Sequence, residues 1–307
     1  MTTTQKTSRS IFITILFCIF LGGIATGVNG QDIIGELKIP DEGESQLLIT
    51  KGGSKVFGRI VEIKTDEIMF ESEIGVSAIQ ISDIEEIKLI KASEMKGGSY
   101  WFPNPNQTRL YFGPTGRMLK KGEGYISDIY IFFPSFAYGM TDNITLGAGF
   151  TIFPGIDIDK QILFFTPKIG LSATENFHLA MSGMLFRIPD DFDFDDDESE
   201  SIMVGLLFAT ATYGNSDKSI TVGLGHGFVD DEIGDKPAFC LGGEYRFARR
   251  VSFVSENWVF PDADDPLVSY GVRLFGEKMS IDLAFFNVLG DDAVAFGIPY
   301  IDFVWNF

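Results

Sequence analysis

Over its second two-thirds the chain alternates apolar and polar positions with a period of two. Ile144, Leu146, Ala148, Phe150 and Ile152 fall on one face of an extended segment; Thr145, Gly147, Gly149 and Thr151 fall on the other. Ile220, Val222 and Leu224 oppose Thr221, Gly223 and Gly225 in the same way. Met279, Ile281, Leu283 and Phe285 oppose Ser280, Asp282 and Ala284. Successive side chains of a strand point to opposite faces, so each segment is predicted as a strand with one apolar and one small or polar face. Twelve strands are predicted, at 107–113, 125–140, 143–153, 161–173, 176–188, 201–213, 218–229, 238–248, 250–260, 267–276, 278–288 and 296–307.

The connections alternate in length. Short turns fall at Thr141-Asp142, Thr174-Glu175-Asn176, Asn215-Ser216-Asp217, Ala248-Arg249 and Glu277-Lys278; longer loops fall at 114–124, 154–160, 189–200, 230–237, 261–266 and 289–295. An antiparallel barrel with short turns at one end and long loops at the other is the expected architecture for 107–307. An even strand count puts both ends of that barrel at the short-turn side. Upstream the runs are shorter: Gln46 to Thr50, Lys55 to Ile63 with Gly58 inside it, Glu67 to Ser72, Val76 to Ile81 and Ile84 to Ile90. They predict a small five-stranded domain at 46–90, its second strand bent at the glycine. Residues 31–45 and 91–106 read as linkers, the second carrying Gly97-Gly98, Pro103 and Pro105.

The N-terminus changes the compartment. Lys6 and Arg9 precede an apolar stretch from Ile11 to Leu21, and Val28-Asn29-Gly30 offers a cleavage site before Gln31, so residues 1–30 read as a secretory signal peptide. Cys18 would leave with it. Cys240 would then remain as the only cysteine, which excludes an internal disulfide and a cysteine-built zinc site. The net charge of −19 provides no basic footprint, and nucleic acid is not an expected partner. Thirty Phe together with 34 Gly suit short alternating strands better than a helical or α/β enzyme.

The final segment runs Tyr300-Ile-Asp-Phe-Val-Trp-Asn-Phe307, with Ile301, Phe303, Trp305 and Phe307 on one face. This stretch resembles the C-terminal strand of bacterial outer-membrane β-barrel proteins, which end in Phe with apolar residues at alternate positions before it. The resemblance implies a location in the outer membrane of a Gram-negative cell, contact with its lipid and lipopolysaccharide, and recognition of this strand by the barrel-assembly machinery. Aromatic residues near strand ends fit two interfacial girdles, with Tyr138, Phe177, Phe247 and Phe307 on the turn side and Tyr130, Phe153, Phe228, Trp258 and Phe260 on the loop side. The 46–90 domain, with one strand bent, resembles an SH3-like or Sm-like barrel. Its clustered acids and the export signal before it imply a periplasmic spacer or adaptor that meets a periplasmic protein. The whole chain therefore reads as all-β: a signal peptide, a small SH3-like barrel, then an antiparallel transmembrane β-barrel of about 12 strands.

Candidate chemistry is sparse. Lys168, Glu244, Arg246, Glu256, Arg273, Asp282 and Asp302 fall on predicted inward faces, and a two-residue turn at Glu277-Lys278 sets Arg273 directly across from Asp282. Two readings stay open: a polar constriction that selects solutes, or mutual pairing that plugs a narrow lumen. Asp191, Asp193, Asp195 and Asp197 form the densest acidic run, in a predicted outer loop. Asp191, Asp193 and Asp195 have calcium-loop spacing, but Asp196 stands where the EF-hand needs Gly and Ile202 where it needs Glu. A solvated loop and a divalent-ion site, Ca²⁺ bridging to lipopolysaccharide phosphates, are the alternatives; no other cofactor is expected. His178, inward, and His226, outward, are the only histidines, and no serine is singled out by spacing, so no enzyme is expected. The expected function is a non-enzymatic outer-membrane barrel, either a narrow channel or an envelope structural or adhesion protein. The alternatives are a soluble exported β-barrel binding an apolar ligand and, third, a barrel lipid hydrolase.

Overall fold

A computed structural model describes residues 37–42, 44–90, 94–96, 99–189, 201–261, 263–290 and 295–307. The chain divides into two compact units after Trp101. Among the described residues there is no α-helix, only strands and one-turn 3-10 segments.

The N-terminal unit holds β1 (Ser45–Thr50), β2 (Lys55–Ile63), β3 (Glu67–Ser72), β4 (Gly75–Gln80) and β5 (Ile84–Ile90), followed by the two-residue strands β6 (Met95–Lys96) and β7 (Ser99–Tyr100). The first five form one antiparallel sheet in the order β4-β3-β2-β1-β5, with a 3-10 turn at Ile81–Asp83 leading into β5. Leu48, Ile60, Ile68, Phe70 and Ile84 are buried together as its core. A Cβ at Gly58 would lie 1.9 Å from the Glu71 carbonyl oxygen, so β3 crosses β2 at a distance only glycine allows. The β2–β3 register slips between Ile60 and Glu62. There the buried Gln46 side chain accepts from the Ile60 amide at 2.9 Å and donates to the Lys38 carbonyl at 2.9 Å. Both polar ends of that side chain are thus satisfied.

The second unit is a closed barrel. Its strands are β8 (Gly124–Ile129), β9 (Phe133–Thr141), β10 (Ile144–Phe150), β11 (Leu163–Thr174), β12 (Phe177–Pro189), β13 (Ser201–Gly214), β14 (Lys218–Val229), β15 (Glu232–Ile233), β16 (Ala238–Ala248), β17 (Val251–Val259), β18 (Leu267–Phe275), β19 (Met279–Val288) and β20 (Ile298–Asn306). The two-residue β15 only folds back antiparallel on the end of β14, which leaves twelve strands in the ring. All neighbours are antiparallel, β13 pairs β14, and β20 closes the ring on β8. At the closure Gly124 and Phe307 exchange backbone hydrogen bonds of 3.1 and 2.9 Å.

The count of twelve matches expectation through two compensating corrections. The segment 107–113 is not a wall strand, and 114–124 is not an outer loop; 107–119 lie inside the barrel and 120–123 make an exposed turn into β8. The expected strand 125–140 is two strands, β8 and β9, joined at Tyr130-Ile131-Phe132. Tyr130 and Ile131 turn the chain at φ 57° and 69°. These are left-handed values that a β-branched residue rarely adopts, which is why no turn signal is visible in the sequence. Packing holds the turn: the Tyr130 ring sits edge-on to Tyr300 at 5.8 Å, and its hydroxyl donates to the Pro299 carbonyl. The expected linker 91–106 also ends early, since Phe102, Asn104 and Asn106 are buried in the second unit.

The lumen as candidate functional site

The barrel wall is inverted relative to a water-soluble protein. Outward positions are exposed and apolar, among them Met181, Leu207, Ile220, Leu224, Leu283 and Trp305. Inward positions are buried and polar, among them Thr145, Lys168, Glu244, Glu256, Arg273 and Asp282. The alternation therefore points its apolar face away from the centre, the reverse of a lipocalin-like carrier. That arrangement removes the support for a soluble exported barrel with an apolar interior.

The interior is filled by residues 102–119, a stretch without regular strands, whose backbone polar groups find partners on the wall side chains, while 120–123 make an exposed turn into β8. Arg273 on β18 is fully buried and grips Asp282 on β19 with both arms, Nε to Oδ1 at 2.7 Å and Nη2 to Oδ2 at 2.8 Å. The two residues are direct cross-strand partners. Nη1 of Arg273 also reaches Glu244 at 3.0 Å and the Asn106 carbonyl at 2.8 Å, and Nη2 donates to the Leu110 carbonyl. One guanidinium thus joins three wall strands to the inner segment. Asp302 on β20 accepts from Arg109, which also donates to the Tyr111 carbonyl at 2.7 Å.

Glu256 on β17 is held differently. Its carboxylate accepts from the successive amides of Tyr111, Phe112 and Gly113 at 2.8 to 3.2 Å, and from the Trp258 indole at 2.8 Å. Three consecutive N–H groups curled around one anion neutralise it with dipoles rather than with a cation. A Cβ at Gly113 would sit 2.8 Å from Glu256 Oε1, so a side chain there would push into the carboxylate. Trp258 stacks on Phe112 at 5.9 Å and is buried. It is therefore an interior residue, and its expected place in the outer aromatic girdle is corrected. Arg246 on β16 donates to the Phe102 carbonyl at 2.8 Å and to Asp217 at 3.0 Å. At the short-turn end the amide of Gly116 donates to Thr212 at 2.8 Å, and Met118 and Lys120 lie against glycines 170 and 139 of the wall.

All seven inward candidates, Lys168, Glu244, Arg246, Glu256, Arg273, Asp282 and Asp302, are thus inside the barrel. Six of them gather on β16 to β20, bound to the inner segment or to each other; Lys168 stands apart on β11. Asp191, Asp193, Asp195 and Asp197 lie outside the described residues. Among the described residues no group of three or more His, Cys, Asp or Glu could hold a metal ion. Ile301, Phe303, Trp305 and Phe307 share the outward face at the seam. His178 faces inward, its Nδ1 2.9 Å from the Ser172 hydroxyl and its Nε2 without a hydrogen-bond partner among the described residues. His226 is exposed and bonds the Gly234 carbonyl at 2.8 Å.

Residues missed from the sequence are those of the inner segment, chiefly Asn106, Arg109, Tyr111 and Gly113. One signal existed: the predicted inward faces carry four acids against three bases, and the missing cation, Arg109, lies within the segment 107–113 expected as the first strand.

On the opposite side the filling is incomplete. Between the inner segment and β8 to β12 lies a cavity of about 220 Å³, with Thr145, Lys168 and Ser182 at one end and Phe164, Met184 and Phe186 at the other.

No family model matches this chain, and no curated protein matches it. Among solved structures it is similar to OmpT of Vibrio cholerae in its in-vitro folded trimer form, with 14% identity over 86% of this chain and 96% of that chain and a TM-score of 0.34. It is similar to Acinetobacter baumannii Omp33, with 8% identity over 60% of this chain and 95% of that one and a TM-score of 0.34. A third is the outer membrane protein OprD of Pseudomonas aeruginosa, with 10% identity over 86% of this chain and 91% of that one and a TM-score of 0.33.

Proposed function

We propose that this chain is a non-enzymatic β-barrel of a bacterial outer membrane, a narrow conduit held shut at rest by its own residues 102–119. The observation that carries the reading is the inverted wall: a continuous apolar exterior around a polar, charged interior. In water that exterior would be an aggregation surface; in a bilayer it is the favourable solvent contact, and a closed ring leaves no strand edge unpaired. The ring strands run from six to fourteen residues, and all but β8 and β10 reach the nine or so that a tilted span needs.

In this reading residues 1–30 are removed on export. The short-turn end, where β8 begins and β20 ends, faces the periplasm, and the acidic loops face outward toward lipopolysaccharide. The N-terminal unit is then a periplasmic module. Its strand order β4-β3-β2-β1-β5, with a 3-10 turn before β5, supports an SH3-like identity and a protein partner. The strand ending in Phe307 is the assembly signal, and deleting Phe307 is expected to lower membrane yield severalfold.

Two measurements test the proposal. The protein is expected to leave membranes only with detergent and to change gel mobility on heating; release by buffer alone would overturn the membrane reading. In planar bilayers the folded protein is expected to be silent or nearly so, and Glu256→Ala, which frees residues 111–113, is expected to add flickering openings. A steady, discrete wild-type conductance would show that residues 102–119 do not shut the lumen.

A further inference from the structure

Lys168 lies deep in the lumen and is electrically alone. Its ammonium donates to the carbonyl oxygens of Thr108, at 3.0 Å, and Arg117. No carboxylate lies within ion-pair distance of it among the described residues, in contrast to Arg109, Arg246 and Arg273. An ammonium has three N–H donors, so one remains unassigned. A buried charge without a counter-charge is expensive, and it is relieved either by loss of its proton or by an anion in the adjoining space, which the geometry here provides for.

The register supplies the rest of the site. Thr145 on β10 pairs with Lys168 on β11, and Lys168 pairs with Ser182 on β12. The three side chains therefore stand side by side in one cross-strand row on the inner wall. The hydroxyls of Thr145 and Ser182 are buried more than nine-tenths and have no hydrogen-bond partner among the described residues. All three residues line the 220 Å³ cavity. Two unsatisfied hydroxyls flanking an uncompensated ammonium match the two oxygens and single charge of a carboxylate. Toward the loop end the same cavity turns apolar: Phe164 and Phe186 meet at 5.8 Å, with Met184 and Phe133 beside them. Room for the rings comes from β10, where a Cβ at Gly149 would fall 2.2 Å from the Phe164 ring. An apolar cavity of about 150 Å³ holds a benzene molecule. The larger volume here accommodates one ring plus a carboxylate.

We propose that this cavity binds a small amphipathic carboxylate the size of benzoate, its charged end on Lys168, Thr145 and Ser182 and its ring among the phenylalanines. The inference rests on the reading of the chain as a lumen-plugged barrel and names the chemical class of solute that the lumen would take.

The test is calorimetric titration of the purified full chain in detergent, with sodium benzoate and its uncharged analogue benzyl alcohol, blanked against protein-free micelles. Saturable one-to-one binding of benzoate is expected, with benzyl alcohol about tenfold weaker or more, the size of effect a charge-assisted hydrogen bond gives. Lys168→Met, close in shape and without charge, is expected to erase that preference while keeping the heat-modifiable mobility of the folded barrel. Should that variant fail to fold, the double change Thr145→Val and Ser182→Ala, which keeps the charge, is expected to weaken benzoate severalfold. The proposal is overturned if folded wild type gives no saturable benzoate signal, or if benzoate and benzyl alcohol bind alike. A preference that survives in Lys168→Met overturns it too, as does undiminished benzoate binding in the double variant when Lys168→Met does not fold. Extraction and mobility report separately on the barrel reading, so a folded, detergent-requiring barrel that ignores benzoate sinks only the carboxylate site.

Discussion

Two arginines in this molecule make the same contact in opposite surroundings. Arg59 and Glu71 are cross-strand partners in the N-terminal sheet, 2.7 Å apart and nearly half exposed. Arg273 and Asp282 are cross-strand partners in the barrel, also 2.7 Å apart and fully buried. Geometry alone does not separate them. What differs is the alternative open to each charge: water for the first pair, nothing for the second. The same inversion runs through both units. The N-terminal unit packs Leu48, Ile60 and Phe70 inward, whereas the barrel packs guanidinium and carboxylate inward and leaves Leu207, Leu224 and Leu283 outside. Period-two alternation fixes that a strand has two faces; the solvent decides which one becomes the interior.

Substitutions at matched positions sharpen that contrast. The largest effect is expected for Arg273→Met, which strands Asp282 and Glu244 as buried unpaired acids and costs about 3–5 kcal/mol; the temperature at which gel mobility shifts should fall steeply. If the shift is unmoved, the buried network is not what holds the interior. Leu48→Ala, in the core of the N-terminal unit, is expected to cost about 2–5 kcal/mol in the denaturant transition of that unit, with the barrel's heat shift unchanged. At the middle of β14, Leu224→Arg puts a charge on the outward face and is expected to cost about 2–4 kcal/mol in lipid. Indifference there would mean that Leu224 does not meet hydrocarbon. The smallest effects belong to Arg59→Met and Leu89→Arg on the exposed surface of the N-terminal unit. Each is expected within roughly 1 kcal/mol in the same denaturant transition. A large loss at Arg59 would erase the contrast with Arg273.

The strands were largely legible from the sequence, and the filling was not. β2, β3, β5, β14 and β16 run over the expected residues, and most others over nearly so, because alternation and turn residues such as Asn215-Ser216-Asp217 mark them directly. Residues 102–119 are mostly buried or half-buried, polar and apolar alike, so hydrophobicity marks no face along them. Their Gln107 to Phe112 stretch imitates a strand for that reason. The turn at Tyr130-Ile131 was hidden because contacts from Tyr300 and Pro299, far along the chain, hold a backbone shape that its own residues disfavour. Inward charges could be picked out one by one. Which carbonyl or amide each would meet depended on a segment that had been assigned to the wall.

The seam between β20 and β8 sets a clock on this molecule. It is pinned by five residue pairs, whereas β12 and β13 share thirteen, and it joins positions about 180 residues apart. Every other neighbouring pair in the ring is a local hairpin that can zip as soon as its two strands exist. The seam alone must wait for both ends of the sheet to find each other, with the inner segment already threaded or trapped outside. The ring therefore closes late and at its thinnest joint, and under heat or pulling that joint is where the circle should first become an open sheet.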